Sequence, residues 1–234
     1  MVASRPVAGP LPYSRRELGD LAASLDTRWP RLPPDDAMRW TRRFLEGRSP
    51  YSRVRGHAIR LQLDAVIAVA LHLGLRRTEI FQLHGDWCHY DNFGVVVWKS
   101  GVPWDGACRE VPHTDGSRDA MRAWLDFRDL LAVDHDSPWV ATWSTDTLGQ
   151  PMTRDVFNTL LRTYIGRGWT LKRLRDTCAV AWLRAGLPIE MARQLLGLSS
   201  LEDVLPYASL ARGDLDGHMR RAARSFARDV RLAA

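Results

Sequence analysis

The stretch TLKRLRD, Thr170 to Asp176, sets Lys172 and Arg175 three residues apart, so that on a helix they share one face. Arg76 stands in LHLGLRRTEIFQL, with Glu79 three residues further on. Two arginines converging on one anion clamp a phosphate well, because the planar guanidinium fork matches its oxygens. Taken singly, each arginine reads as a solvated surface group. Lys172 adds a second signal. The chain has 33 lysines plus arginines, and only Lys99 and Lys172 are lysine. A chain so biased keeps a lysine mainly where arginine would fail, or by accident. Proton transfer is what arginine does badly: its pKa of roughly 13 keeps its protons bound, whereas lysine starts near 10.4 and falls with burial or cationic neighbours.

The elements that must carry these residues are mostly helical. Ser14 and Glu17 in SRREL make a capping box, and Leu18, Leu21, Ala22 and Leu25 continue at helical spacing. Pro34 can open a second helix ending near Gly47, and a third is predicted from about Arg55 to Leu73, stopped by Gly74. A short helix follows from about Arg77 to Leu83. GVVVWKSG and ACREVPH then read as the two strands of a hairpin. Helical spacing returns over Ser117 to Leu131 and, behind a Thr153 cap, in TRDVFNTLLRTYI. Helices are predicted over Leu171 to Ala185 (closed by Gly186) and Pro188 to Leu196 (closed by Gly197). Ser200 and Asp203 can cap one more short helix leading to Pro206 and Tyr207. An Arg-rich amphipathic helix is expected from Arg212 to Ala234. The fold class is mainly α with a small β-hairpin insertion (α+β).

The totals fit one domain with short appendages. The chain has 234 residues, 45% of them apolar and ten of them tryptophan, which is ample for a packed core. Trp124 and Trp182 fall at core-like spacing on helices. Net charge is +6 with a pI near 9.7, which favours an anionic partner, nucleic acid ahead of a membrane surface. Three spread cysteines, Cys88, Cys108 and Cys178, form no disulfide framework and fit a reducing cytoplasm. The most apolar run, AVIAVALHLGL, is too short to span a bilayer. His84, Cys88, His89, Cys108 and His113 cluster in sequence, yet without the spacing of a zinc site, so no metal and no cofactor are expected.

LHLGLRRTEIFQL, then VVVWKSG, then LKRLRDTCAVAWLRAGLPIEMARQLLGLSSLEDVLPYASL together resemble the catalytic domain of the tyrosine recombinase (phage integrase) family. The first segment resembles that family's Thr-Gly-Leu-Arg-x-x-Glu-Leu box, which puts its first catalytic arginine at Arg76. The hairpin puts the family's catalytic lysine at Lys99. The third segment resembles His-x-x-Arg followed by Leu-Leu-Gly-His-Ser, with Arg175 as the second arginine and Tyr207 as the nucleophile, nine residues after Leu198. Two positions depart from the family: Lys172 stands where His is usual, and Leu198 stands where His or Trp would donate to the phosphate. The resemblance covers residues 11–226, with 1–10 a flexible lead-in and 227–234 a tail. The family's N-terminal core-binding domain has no room before residue 11 and is expected to be absent.

The resemblance implies a site-specific recombinase or integrase of a phage or mobile element, cytoplasmic and bound to double-stranded DNA, working as a tetramer. Tyr207 would attack a phosphodiester and form a 3′-phosphotyrosyl bond. Arg76 and Arg175 would hold the non-bridging oxygens, Glu79 would orient Arg76, and Lys99 would protonate the leaving 5′-oxygen, with Lys172 assisting or helping to deprotonate Tyr207. Leu198 offers no donor, which allows reduced activity. Two other readings stay open: a degenerate member that grips DNA or a partner without cutting, and, more distantly, a type IB topoisomerase. In the recombinase reading, Lys172→Arg leaves DNA affinity intact and slows cleavage. Equal cleavage rates for the two proteins would return this lysine to accident.

Overall fold

Local chemistry starts nearly every helix. The computed structural model describes residues 12–28, 30–84, 94–98, 108–131, 136–142, 144–166 and 168–212. Helix α1 (Arg15–Arg28) opens on reciprocal bonds: Glu17 Oε2 accepts the Ser14 N–H at 2.7 Å, and Ser14 Oγ accepts the Glu17 N–H at 3.2 Å. Helix α2 (Pro34–Leu45) begins at a proline and carries Asp35 and Asp36 in its first turn, where the helix dipole favours negative charge.

Helix α3 (Ser52–Leu71) starts three residues before the position predicted from sequence and is buried on nearly every side. Such a helix has to lie inside the domain. It packs against α5 (Asp115–Leu130) and α7 (Leu171–Arg184). Its polar residues are paired: Gln62 Nε2 donates to the Val140 carbonyl at 2.9 Å, and Arg60 bridges Asp64 and Asp26 at 2.8 and 2.7 Å. His57 Nδ1 accepts the Leu32 N–H at 3.1 Å, and burial drives that imidazole down to about 4.

The short helix α4 (Arg77–Phe81) follows α3 across Gly74. Strands β1 (Gly94–Trp98) and β2 (Cys108–Pro112) pair antiparallel, Gly94 opposite Pro112 and Trp98 opposite Cys108, with Val95, Val97 and Val111 turned into the core. Thr114 caps α5 by accepting the Ser117 N–H at 3.2 Å, and Thr153 caps α6 (Arg154–Tyr164) by accepting the Val156 N–H at 3.3 Å. Thr170 caps α7 in the same way, through the Arg173 N–H at 3.1 Å. Helix α8 (Ile189–Leu196) ends at left-handed Gly197. Ser200 and Asp203 do bond reciprocally, but they close a turn. A further helical stretch, α9, covers 205–212, so Tyr207 sits in its first turn rather than beyond a helix.

Trp124 is fully buried, whereas Trp182 is only partly buried and packs on the core edge. The segment 213–234, expected to be helical, lies outside the described residues, as does Cys88. No helix among the described residues is long and apolar enough to cross a membrane. Buried Trp124 also donates its Nε1–H to the Pro138 carbonyl at 2.7 Å. Trp124→Ala therefore removes a packed indole and orphans an acceptor, and is expected to cost about 3–5 kcal/mol. Urea unfolding should show this as a lower midpoint at unchanged slope.

Candidate functional site: an arginine-lined cavity

The N-terminal turns of α7 carry Lys172, Arg175 and Asp176, and several neighbours fix that end of the helix. The Tyr13 phenol donates to the Gly168 carbonyl at 3.0 Å and accepts the Thr170 N–H at 2.9 Å, while the Arg173 guanidinium lies 3.7 Å over its ring. Arg175 is buried, with Nη1 donating to the Gly74 carbonyl at 2.5 Å and Nη2 to the Leu196 carbonyl at 2.7 Å. The Leu196 carbonyl is at the end of α8, where a helix leaves acceptors unsatisfied, and Gly74 lies in the link from α3 to α4. Arg76 Nη2 donates to the Gly197 carbonyl at 2.8 Å.

Glu79 joins the set from below. Its Oε2 accepts the Arg76 N–H at 2.7 Å and Arg109 Nη2 at 2.8 Å, and lies 3.7 Å from Arg175 Nη1. Burial alone would raise this carboxyl. The bond and charge of Arg109, the Arg76 N–H and the Arg175 charge outweigh that and hold it below the usual carboxylate range. Arg109, on β2, also donates Nε to the Leu195 carbonyl at 2.9 Å, which ties the hairpin to the end of α8. Burial lowers the Arg175 pKa from its ordinary value, with Arg76 and Arg109 adding to the effect and Glu79 opposing it.

Two glycines make the close approach possible. Gly74 (φ +63°) and Gly197 (φ +62°) both adopt the left-handed conformation. A Cβ at Gly74 would come 2.9 Å from Leu196 Cδ2, and one at Gly197 would come 2.6 Å from Arg109 Nη1.

Above this floor is a cavity of about 280 Å³ lined by Arg76, Arg77, Lys172, Arg175, Asp176, Leu198 and Tyr207. Of the residues expected from sequence, Arg76, Lys172, Arg175, Leu198 and Tyr207 thus share one cavity, and Glu79 supports it from behind. Lys99 lies outside the described residues, directly after β1. Tyr207 Oη donates to Asp176 Oδ1 at 3.0 Å, and Lys172 Nζ donates to Asp176 Oδ2 at 2.8 Å. Asp176 is 1% exposed at its side chain, whereas Lys172 is 69% exposed. Burial first, and then the charge and hydrogen bond of Asp176, push the Tyr207 phenol up to about 12, against the pull of Arg175. Four cations and one carboxylate around a small cavity make an anion site, and the phenol gives it a latent nucleophile.

Arg109 and Asp176 are not among the residues expected from sequence. Asp176 carries a signal, the i,i+4 spacing from Lys172 ahead of the apolar run CAVAW. Arg109 carries none, since its partners are remote in the chain. The described residues of the zinc-tempting set each have other surroundings: His113 Nδ1 meets Ser117 Oγ at 3.1 Å, His84 faces Asp136 at 3.7 Å, and Cys108 is exposed. Cys88 and His89 are outside the described residues. Among the described residues no group of metal-ligating side chains forms.

The family model described as phage integrase family matches residues 51–213. Solved structures share the fold over most of this chain. The XerA recombinase superposes with a TM-score of 0.58 at 20% identity, over 93% of this chain and 66% of that one. XerH site-specific recombinase, in a post-cleavage complex with palindromic difH substrate, gives 0.56 at 17% identity, over 91% and 53%. The Tn1549 transposon integrase, in complex with transposon right end DNA, gives 0.54 at 16% identity, over 95% and 69%. The chain therefore spans just under two thirds of XerA and about half of XerH. No protein of curated function matches it by sequence.

Glu79→Gln would leave Arg109 and Arg175 without their counter-charge, and an expected loss of about 3–5 kcal/mol follows. Because the folded Glu79 pKa lies below its ordinary 4.5, its contribution is complete above that pH and is lost as pH falls through the folded value. Urea titrations from pH 7 down to pH 3 should show Glu79→Gln less stable at neutral pH, with a flatter acid decline than the parent.

Proposed function

The chain belongs to the phage integrase family, and we propose that it is a site-specific DNA recombinase or integrase that cuts and rejoins strands through a 3′-phosphotyrosyl intermediate. The observation that carries this reading is the sharing of one cationic cavity by Tyr207, Arg76, Lys172 and Arg175. Tyr207 Oη attacks a phosphodiester of double-stranded DNA, the Oη–P bond forms and the P–O5′ bond breaks. Arg76 and Arg175 stabilise the charge that grows on the non-bridging oxygens. An arginine has five N–H donors, so the two carbonyl bonds of Arg175 leave others for phosphate. Glu79 positions both arginines. Lys99 protonates the leaving oxygen, and Lys172 assists.

The bond energy kept in the phosphotyrosyl link lets strands rejoin without a nucleotide cofactor. The DNA-bound enzyme is proposed to be a homotetramer in the bacterial or phage-infected cytoplasm. Leu198 lines the cavity without a donor, which supports a rate below that of relatives with His or Trp there. The same residue favours the second reading, a DNA-gripping member that does not cut.

Covalent capture separates the two. The probe is a library of duplexes with randomised flanks around one 5′-bridging phosphorothiolate, whose released thiol does not religate. The parent chain should give a denaturation-resistant DNA adduct and Tyr207→Phe none. Arg175→Ala should form it about 10²–10³-fold more slowly. A library that yields no adduct with the parent chain would sink the recombinase reading.

A further inference from the structure

The buried carboxylate at Asp176 has no part in the mechanism as described so far, yet it touches the atom proposed to react. Tyr207 Oη points its hydrogen at Asp176 Oδ1, 3.0 Å away, and not at Lys172. Lys172 cannot receive that proton, because its ammonium has no lone pair and is itself donating to Asp176 Oδ2 at 2.8 Å. Glu79 is engaged with the Arg76 N–H and Arg109. Asp176 is the one carboxylate that lines the cavity among the described residues.

Resting on the recombinase reading, we propose that Asp176 is the general base that takes the Tyr207 proton during strand cleavage and the general acid that returns it during ligation. In cleavage the Oη–H bond breaks and its proton moves to Asp176 Oδ1 as the Oη–P bond forms. The P–O5′ bond breaks, and O5′ takes a proton from the lysine acid proposed above. Each transfer leaves the total charge of the site unchanged. Ligation runs both in reverse: the attacking 5′-hydroxyl gives its proton to the neutral lysine, and Asp176 reprotonates Tyr207 as it leaves. The cycle therefore needs no external acid or base.

The surroundings suit this role. The Asp176 side chain is only 1% exposed, so water has little access to its Oδ1, and the Lys172 ammonium donates to the other oxygen, Oδ2. The phenol, pushed up to about 12, ionises unaided in only about one molecule in 10⁵ at pH 7, which makes a base in contact with it necessary. Proton transfer also cancels the Asp176 charge that opposes ionisation. Lysine at 172 acquires a second reason: its bond to Oδ2 fixes the carboxylate so that Oδ1 faces the phenol.

The test uses the duplex recovered by covalent capture. Its sulfur leaving group needs no proton, so adduct formation reports the nucleophile's proton alone. Asp176→Asn keeps the shape but cannot accept a proton. It should form the adduct about 10²–10⁴-fold more slowly while binding the duplex with parental affinity. Tyr207→3,5-difluorotyrosine, whose phenol ionises more readily, should restore most of that loss in the Asp176→Asn background. A merely structural role would leave the variant slow and unrescued, and a simple restraint on Tyr207 would make it faster than the parent. Either result overturns the proposal. A measurement with Asp176 intact guards against a misfolded variant: the parent should show a solvent deuterium isotope effect that shrinks with the fluorinated phenol, and its absence refutes the base. Failure of the parent to form any adduct would instead remove the recombinase reading on which this rests.

Discussion

Glu79 sits where three cations would otherwise repel one another. Arg76, Arg109 and Arg175 come from the start of α4, the hairpin and α7, and each also bonds a carbonyl at the end of α8. One buried carboxylate draws in the Arg76 backbone and the Arg109 and Arg175 side chains, so the cations can crowd together without a bound anion. Like charges a few ångströms apart in a partly buried setting repel by several kcal/mol. That repulsion has to be offset inside the protein if the cavity is to stand ready before its ligand arrives. The burial of α3 supplies the rigid frame, and Gly74 and Gly197 let the strands of the chain come close enough to share these bonds.

A second carboxylate stands on the other side of Arg175 and has different neighbours. Among the described residues, Glu79 meets groups that are themselves pinned: a backbone N–H and two guanidiniums held by carbonyls. Asp176 meets a phenol on α9 and an exposed ammonium. The first carboxylate therefore sets geometry, and the second faces the cavity beside the phenol. Two acids of like chemistry are separated by what surrounds them.

Much of this organisation could be read from the residues alone. The capping box at Ser14 and Glu17, the Thr153 cap and the glycine stop at Gly197 are local chemistry, and local chemistry survives folding. The spacing from Leu198 to Tyr207 likewise put both residues at one cavity. What could not be read depends on chain segments far apart. Arg109 gains its meaning from Glu79 and Leu195, partners on other elements. Asp176 shows its spacing to Lys172 in the sequence, but its burial and its bond to Tyr207 exist only once α9 folds back on α7. The helix expected to lead up to Tyr207 instead starts at 205, because Ser200 and Asp203 satisfy each other in a turn.

Helix α8 terminates in the floor of the cavity, and helix C-termini carry partial negative charge. Left bare, that end would push an anion away. Arg76, Arg109 and Arg175 donate to its Gly197, Leu195 and Leu196 carbonyls. The field there is thereby inverted: a dipole end that should repel an anion becomes the buried counter-charge of a cluster that attracts one.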